Sequence, residues 1–265
     1  MKLKYLTAVT LVSMGLVAGC STTTKDTAST TSSTQVEKGV SSEKEEKKEG
    51  HDDHLDYGNQ SDWTFESGDS QSPIDIVTNK AEAMKDAGTL DLNYKDQVID
   101  EVDNGHSIQV NDTGEAVING RNYELNQFHF HAESEHTLNG EHFPIEAHFV
   151  NKAQDGRLAV IGVFFKEGKA NVGFDSVLKN IKKGEKTEVA GTIQVADMLP
   201  TNKTYYHYLG SLTTPPLSEN VEWYMMETPV EVSKEQIEEF NKYYDANNRE
   251  VQPLNERVIL KHTEG

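Results

Sequence analysis

The sequence predicts a mainly β protein, one domain built around a central sheet with a few short helices. Apolar residues alternate with period two in short runs, and Gly, Asn, Asp and Pro separate those runs. Helical spacing shows clearly in only two segments. With 265 residues, 35% of them hydrophobic, the chain has enough apolar material for one large core.

The first element lies outside that domain. Lys2 and Lys4 precede an apolar run from Leu6 to Ala18, too short to span a bilayer, which reads as a secretory signal over residues 1–19. Its end, Leu16-Val17-Ala18-Gly19-Cys20, resembles the bacterial lipobox. That resemblance implies cleavage before Cys20 and a diacylglycerol on its thiol. The expectation is a lipid-anchored protein outside the cytoplasmic membrane, at the cell surface or in a periplasm.

Residues 21–50 contain no Leu, Ile, Met or aromatic residue, and 13 of them are Ser or Thr. Such a stretch cannot bury enough apolar area to offset its ordering entropy, so residues 20–50 are expected to be a flexible tether carrying the anchor. The remainder, 51–265, holds 18 basic and 38 acidic residues. So acidic a body is a poor nucleic-acid binder, because phosphate contacts need clustered Lys and Arg. A single Cys excludes a disulfide framework and any Cys-rich metal site. His51 and His54 with Asp52 and Asp53 are read as a solvated cluster at the tether end.

Within the body, Ser107–Val110 and Glu115–Ile118 flank the turn residues Asn111-Asp112-Thr113-Gly114, a pattern that predicts a hairpin. Strands are also predicted over Leu125–His131, Pro144–Val150, Leu158–Phe165 and Val221–Glu227, most of them too apolar on one face for the surface. Helices are predicted over Phe174–Lys183 and Lys234–Asn247. The second has Ser233 and Gln236 spaced as a capping box, with Ile237, Phe240 and Tyr244 on one face.

Two of these strands carry the chemistry. Alternation in Gln127-Phe128-His129-Phe130-His131 puts Gln127, His129 and His131 on one face and the two Phe on the other. In Glu146-Ala147-His148-Phe149 it puts Glu146 and His148 on a shared face. A lone H-x-H is a weak signal; a third His on the next strand, with an acid two residues before it, makes a set. Three neutral imidazoles from adjacent strands would leave a tetrahedral Zn²⁺ one open position. Gln127 and Glu146 would each take the spare N–H of the neighbouring His and fix its tautomer.

At these residues the sequence resembles the α-class carbonic anhydrases, over nearly all of 57–260. Gln71-Ser72-Pro73-Ile74-Asp75-Ile76, Asn104-Gly105-His106, Ser134-Glu135-His136-Thr137 and Gly210-Ser211-Leu212-Thr213-Thr214-Pro215-Pro216 are similar to family segments in the same order. So are the two His strands and Gln252-Pro253-Leu254-Asn255 with Arg257. The resemblance implies a twisted, mostly antiparallel ten-stranded sheet with zinc at the bottom of a cleft, and reversible hydration of carbon dioxide to bicarbonate. It further implies that Thr213 accepts a hydrogen bond from the hydroxide on zinc and donates its own to an ionised Glu135. Val150, Val160, Leu212 and Trp223, with Thr213 and Thr214, would form the substrate site. His106 would be the proton shuttle, with Tyr57 ordering cleft waters.

The chain departs from the family pattern in places. Ala132 stands where animal members carry a Trp, and only three residues separate His131 from Glu135, which is expected to open this rim of the cleft. The disulfide of many secreted relatives is impossible here. Monomer and homodimer both remain open. The alternative function is a non-catalytic, carbonic-anhydrase-like surface binding module, but such domains typically lose one zinc His, and this chain keeps all three.

Overall fold

The computed structural model describes residues 55–63, 68–95, 98–189, 193–244 and 246–265. The signal, the tether, Cys20 and the 51–54 cluster lie outside the described residues. The first strands are β1 Asp75–Ile76, β2 Glu82–Ala83, β3 Leu90–Asn93, β4 Val98–Asp103, β5 Ile108–Asp112, β6 Glu115–Ile118 and β7 Arg121–His131. After them come β8 Thr137–Leu138, β9 Ile145–Lys152, β10 Leu158–Glu167, helix α1 Val172–Asn180 and β11 Lys186–Glu188. The chain closes with β12 Tyr205–Ser211, β13 Glu219–Met226, β14 Val230–Val232, helix α2 Lys234–Phe240 and β15 Leu260–His262.

Ten strands pair in the order β11-β4-β5-β7-β9-β10-β13-β12-β15-β2, and β14, β6 and β3 attach beside them to make thirteen. Pairing is mostly antiparallel, as expected; β10 with β13, β10 with β14 and β15 with β2 are parallel. At the centre, β10 reads Leu-Ala-Val-Ile-Gly-Val-Phe-Phe and is buried on both faces, which is why it carries no alternation. Its Gly162 is fixed by a close approach: a Cβ there would lie 2.2 Å from the Met225 sulfur on β13.

One face of the sheet packs under the helices. Phe128 and Phe130 of β7, Phe165 of β10, Phe174 of α1 and Phe240 of α2 are all buried in that cluster, with the Phe130 and Phe174 rings 5.0 Å apart. Because the aromatic positions of β7 are consumed here, its polar positions must face the other way. The opposite face carries a second apolar cluster that includes Val150, Val160, Tyr208 and Trp223. No helix among the described residues is long and apolar enough to cross a membrane.

Three expectations are corrected. Strands β5 and β6 do not form a hairpin; both pair with β7, through Asn111↔Gln127 and then Glu115↔Glu124. The break is confined to Thr113-Gly114, a corner along one long partner strand. Gly114 packs against the Tyr94 backbone, where a Cβ would lie 2.6 Å from the Tyr94 Cα, so the chain bends away instead of folding back. Helix α2 has the predicted capping box but ends at Phe240, not Asn247. The residues beyond it are drawn out of helical geometry to reach β7, an override of local propensity by tertiary contacts. Helix α1 is likewise shifted towards its N-cap, Asn171, whose side chain accepts from the Phe174 N–H.

Candidate active site

The register of β7 and β9 pairs His129 directly with His148 and His131 with Glu146. All three His therefore rise from one face of two adjacent strands, with ring centroids 4.6 to 5.1 Å apart. Each ring has one nitrogen committed. Gln127 Oε1 lies 2.8 Å from His129 Nδ1, and Glu146 Oε1 lies 2.7 Å from His148 Nε2, as the alternation predicted. For His131 the partner is the Asn247 main-chain carbonyl, 2.5 Å from Nδ1, which the sequence reading missed.

One nitrogen from each of the three rings lies within 4.8 Å of the others, close enough to hold one metal ion. His131 Nε2 is buried with no protein partner. Burial holds all three imidazoles below their usual pKa, His131 down to about 4, so they are neutral and present lone pairs.

Behind His148 the network continues. Glu146 accepts from His148 Nε2, from His136 Nδ1 at 2.7 Å and from the His136 backbone N–H at 2.8 Å. These donors hold its carboxyl well below the usual carboxylate range despite complete burial. His136 Nε2 meets the Tyr208 hydroxyl at 2.7 Å, and that hydroxyl meets Ser72 Oγ at 2.7 Å. His136, Glu146 and His148 also lie close enough for a metal, but their hydrogen bonds to one another already occupy them.

Glu135 is buried beside the cluster, with Oε1 3.5 Å from His131 Nδ1. The Arg249 backbone N–H donates to Oε1 at 2.8 Å. Thr213 is close enough that its hydroxyl, as a donor, favours the ionised carboxyl, although Oε2 has no partner at full hydrogen-bond geometry. Burial outweighs these effects and raises the Glu135 pKa to about 7. Tyr57 is near enough for the Glu135 charge to raise the pKa of its phenol further, beyond the larger effect of burial.

His106, Gln109, Gln127, His129, His131 and Thr214 line one small cavity of about 60 Å³. A larger hollow of about 690 Å³ lies beside β6 and β7, away from the three His. Val150, Val160 and Trp223 stand in register across β9, β10 and β13, and Leu212 packs against the same cluster. The Trp223 ring is 4.8 Å from that of His148, so this wall abuts the face that carries the three His. Ala132 borders a separate hollow of about 650 Å³ between α2 and the 132–144 loop.

The eukaryotic-type carbonic anhydrase family matches residues 58–263. The chain belongs to the α-class carbonic anhydrases. It is 40% identical over 200 residues to a carbonic anhydrase of Pectobacterium carotovorum, covering 74% of this chain and 81% of that one. Against a carbonic anhydrase of Neisseria gonorrhoeae it is 37% identical over 222 residues, 80% and 86% of the two chains. The α-carbonic anhydrase of Thermovibrio ammonificans, solved with the inhibitor sulfanilamide, superposes with a TM-score of 0.70 at 44% identity, over 73% of this chain and 87% of that one. Carbonic anhydrases are lyases that hydrate carbon dioxide, and the mainly β, single-domain fold is theirs.

Sequence reasoning missed three contributors: Asn247 behind His131, Arg249 behind Glu135, and Tyr208 behind His136. None has a local pattern that marks it, because each meets the site across at least 70 residues of chain.

Proposed function

We propose that the protein is a zinc-dependent carbonic anhydrase acting outside the cytoplasmic membrane, with His129, His131 and His148 as the zinc ligands. The donor set carries this reading. Three neutral imidazoles, each oriented by a partner on its other nitrogen, converge on one point, and the orphaned His131 Nε2 would be satisfied by an ion there. An all-imidazole set of three suits zinc with an open position. When bound, zinc supplies hydroxide near neutral pH by making water acidic.

The chain's own residues then do the rest. Thr213, its proton directed at Glu135, keeps an oxygen lone pair with which to orient the nucleophile. Glu135 must be ionised for that direction to hold, and a dication nearby favours the ionised form. Val150, Val160, Leu212 and Trp223 offer an apolar wall to a substrate without charge, and Thr214 borders the adjoining cavity. His106, whose side chain lines that cavity, takes up the released proton. Stopped-flow hydration of carbon dioxide, with and without a zinc chelator, tests this: activity that survives metal removal sinks it.

Cys20 is proposed to carry the lipid that places the domain at the cell surface or in the periplasm. Cys20→Ser should be released or stay unprocessed. Detergent-phase partitioning indifferent to that substitution would refute the anchor.

A further inference from the structure

We propose that Asn247 is a positioning residue that ties the His106 turn to the metal-binding end of β7. This rests on the reading of His131 as a ligand and His106 as the proton acceptor. Strand β5 pairs with β7 only as far as Gln109↔His129, and the chain before it turns off through Asn104–Ser107. Beyond that pair the edge of β7 has lost its neighbour strand.

The fully buried Asn247 side chain stands in for it. Its Nδ2 donates to the Phe130 carbonyl at 2.9 Å, and its Oδ1 accepts from the Ala132 N–H at 2.8 Å. These are the backbone groups on either side of His131. The same Nδ2 donates to the His106 carbonyl at 3.0 Å, while the Asn247 main-chain carbonyl holds His131 Nδ1. One amide thus clamps the strand around one histidine and the turn bearing the other.

Only an amide of this length offers one acceptor and two donors. Asp keeps the shape and loses both donors; Ala loses everything without burying a charge. Neither change removes the main-chain carbonyl that orients His131, so side-chain variants separate positioning of the His106 turn from support of the ligand.

The test compares Asn247→Asp and Asn247→Ala with the parent protein in the full chain. Amide hydrogen exchange, followed in zinc-loaded and metal-free protein, should accelerate about tenfold or more at Ala132 in Asn247→Ala, which removes its acceptor, and in the His106 turn in both variants, which lose the donor to the His106 carbonyl. In weak buffer, kcat should fall several-fold while kcat/KM stays within about twofold, with imidazole restoring turnover. In a His106→Ala background the Asn247 variants should cost no further turnover. Unchanged exchange at Ala132 in Asn247→Ala overturns the proposal. So does an equal fall in kcat and kcat/KM that imidazole does not rescue. If His106→Ala alone costs no turnover, the proton-transfer reading fails by itself, and the exchange at Ala132 and the His106 turn then decides whether Asn247 clamps them.

Discussion

Two glutamates of this sheet are equally inaccessible to solvent and are pushed in opposite directions. Glu146, on β9, and Glu101, on β4, both have no exposed surface. Glu146 faces three donors from His136 and His148, and its pKa is held well down. Neither oxygen of Glu101 has a hydrogen-bond partner, and burial raises its pKa to about 8. Burial alone therefore does not decide charge; the donors aimed at the carboxylate do. The sheet centre is built to keep a fixed anion behind His148, a proposed metal ligand, whereas β4, next to the edge strand β11, holds an acid whose pKa is raised to about 8.

The strongest way to break the contrast is to dismantle the proposed metal site that the central anion serves through His148. His131→Ala should abolish tight zinc binding and nearly all activity. It should also remove the linkage stabilisation, about 4 kcal/mol when free zinc exceeds its dissociation constant a thousandfold. Metal analysis and thermal denaturation with and without chelator check this, and full zinc occupancy in the variant would count against the ligand assignment.

Next is the anion itself. Glu146→Ala strands the His136 backbone N–H and ring and the His148 ring N–H. Buried donors cost about 1–3 kcal/mol each when unsatisfied, so a loss of about 3 kcal/mol or more is expected. Zinc affinity should fall about 10–100-fold, because His148 loses the partner that fixes its tautomer. A variant as stable as the parent, with unchanged metal affinity, would show that the network behind His148 is not under load.

What the sequence made legible follows the same division. The face that carries the three His was readable because period-two alternation is a local rule: the Phe of β7 declare the core side, so its His must face the other. Gln127 and Glu146 were readable for the same reason, each two residues from the His it holds. Asn247 and Arg249 were not, because they arrive through an irregular segment beyond α2, where no period constrains the side chains. The run Asn111–Gly114, of which only Thr113-Gly114 forms the corner, was misread as a hairpin turn because turn residues report a break in a strand but not its next partner. Glu101 gave no signal, since an acid in an alternating strand reads as a solvent-facing position until its neighbours are known.

A smaller effect is expected at the acid between these extremes. Glu135 has donors on one oxygen and a high pKa, and its service depends on Thr213. Thr213→Ala and Glu135→Gln should each lower kcat/KM about 100-fold without losing zinc, comparable to removing one oriented donor from an active site. The double variant should lose little more than either single one. Strictly multiplicative losses would mean that the two residues act independently.

The smallest effect, and the one that isolates the comparison, is at Glu101. Thr187 on β11 stands opposite it in register, with its own hydroxyl unpartnered, and Val110 lies across on β5. Burial is the cause of the raised Glu101 pKa, with no charged group offsetting it. Because the folded-state pKa lies above the unfolded value, the native state binds more protons than the unfolded chain between about pH 4.5 and pH 8. Stability from this group is therefore fully present below the unfolded pKa and is lost as pH rises through the folded one. A neutral Glu101 and a Gln are nearly isosteric, so Glu101→Gln should match the parent at pH 5. At pH 8 it should be more stable by about 1–2 kcal/mol, less than the full linkage value because a buried carboxylate recruits water as it ionises. Denaturant titrations of both proteins at the two pH values measure the difference. A gap that stays constant with pH would mean that Glu101 finds a donor in solution, and the contrast with Glu146 would then be one of degree.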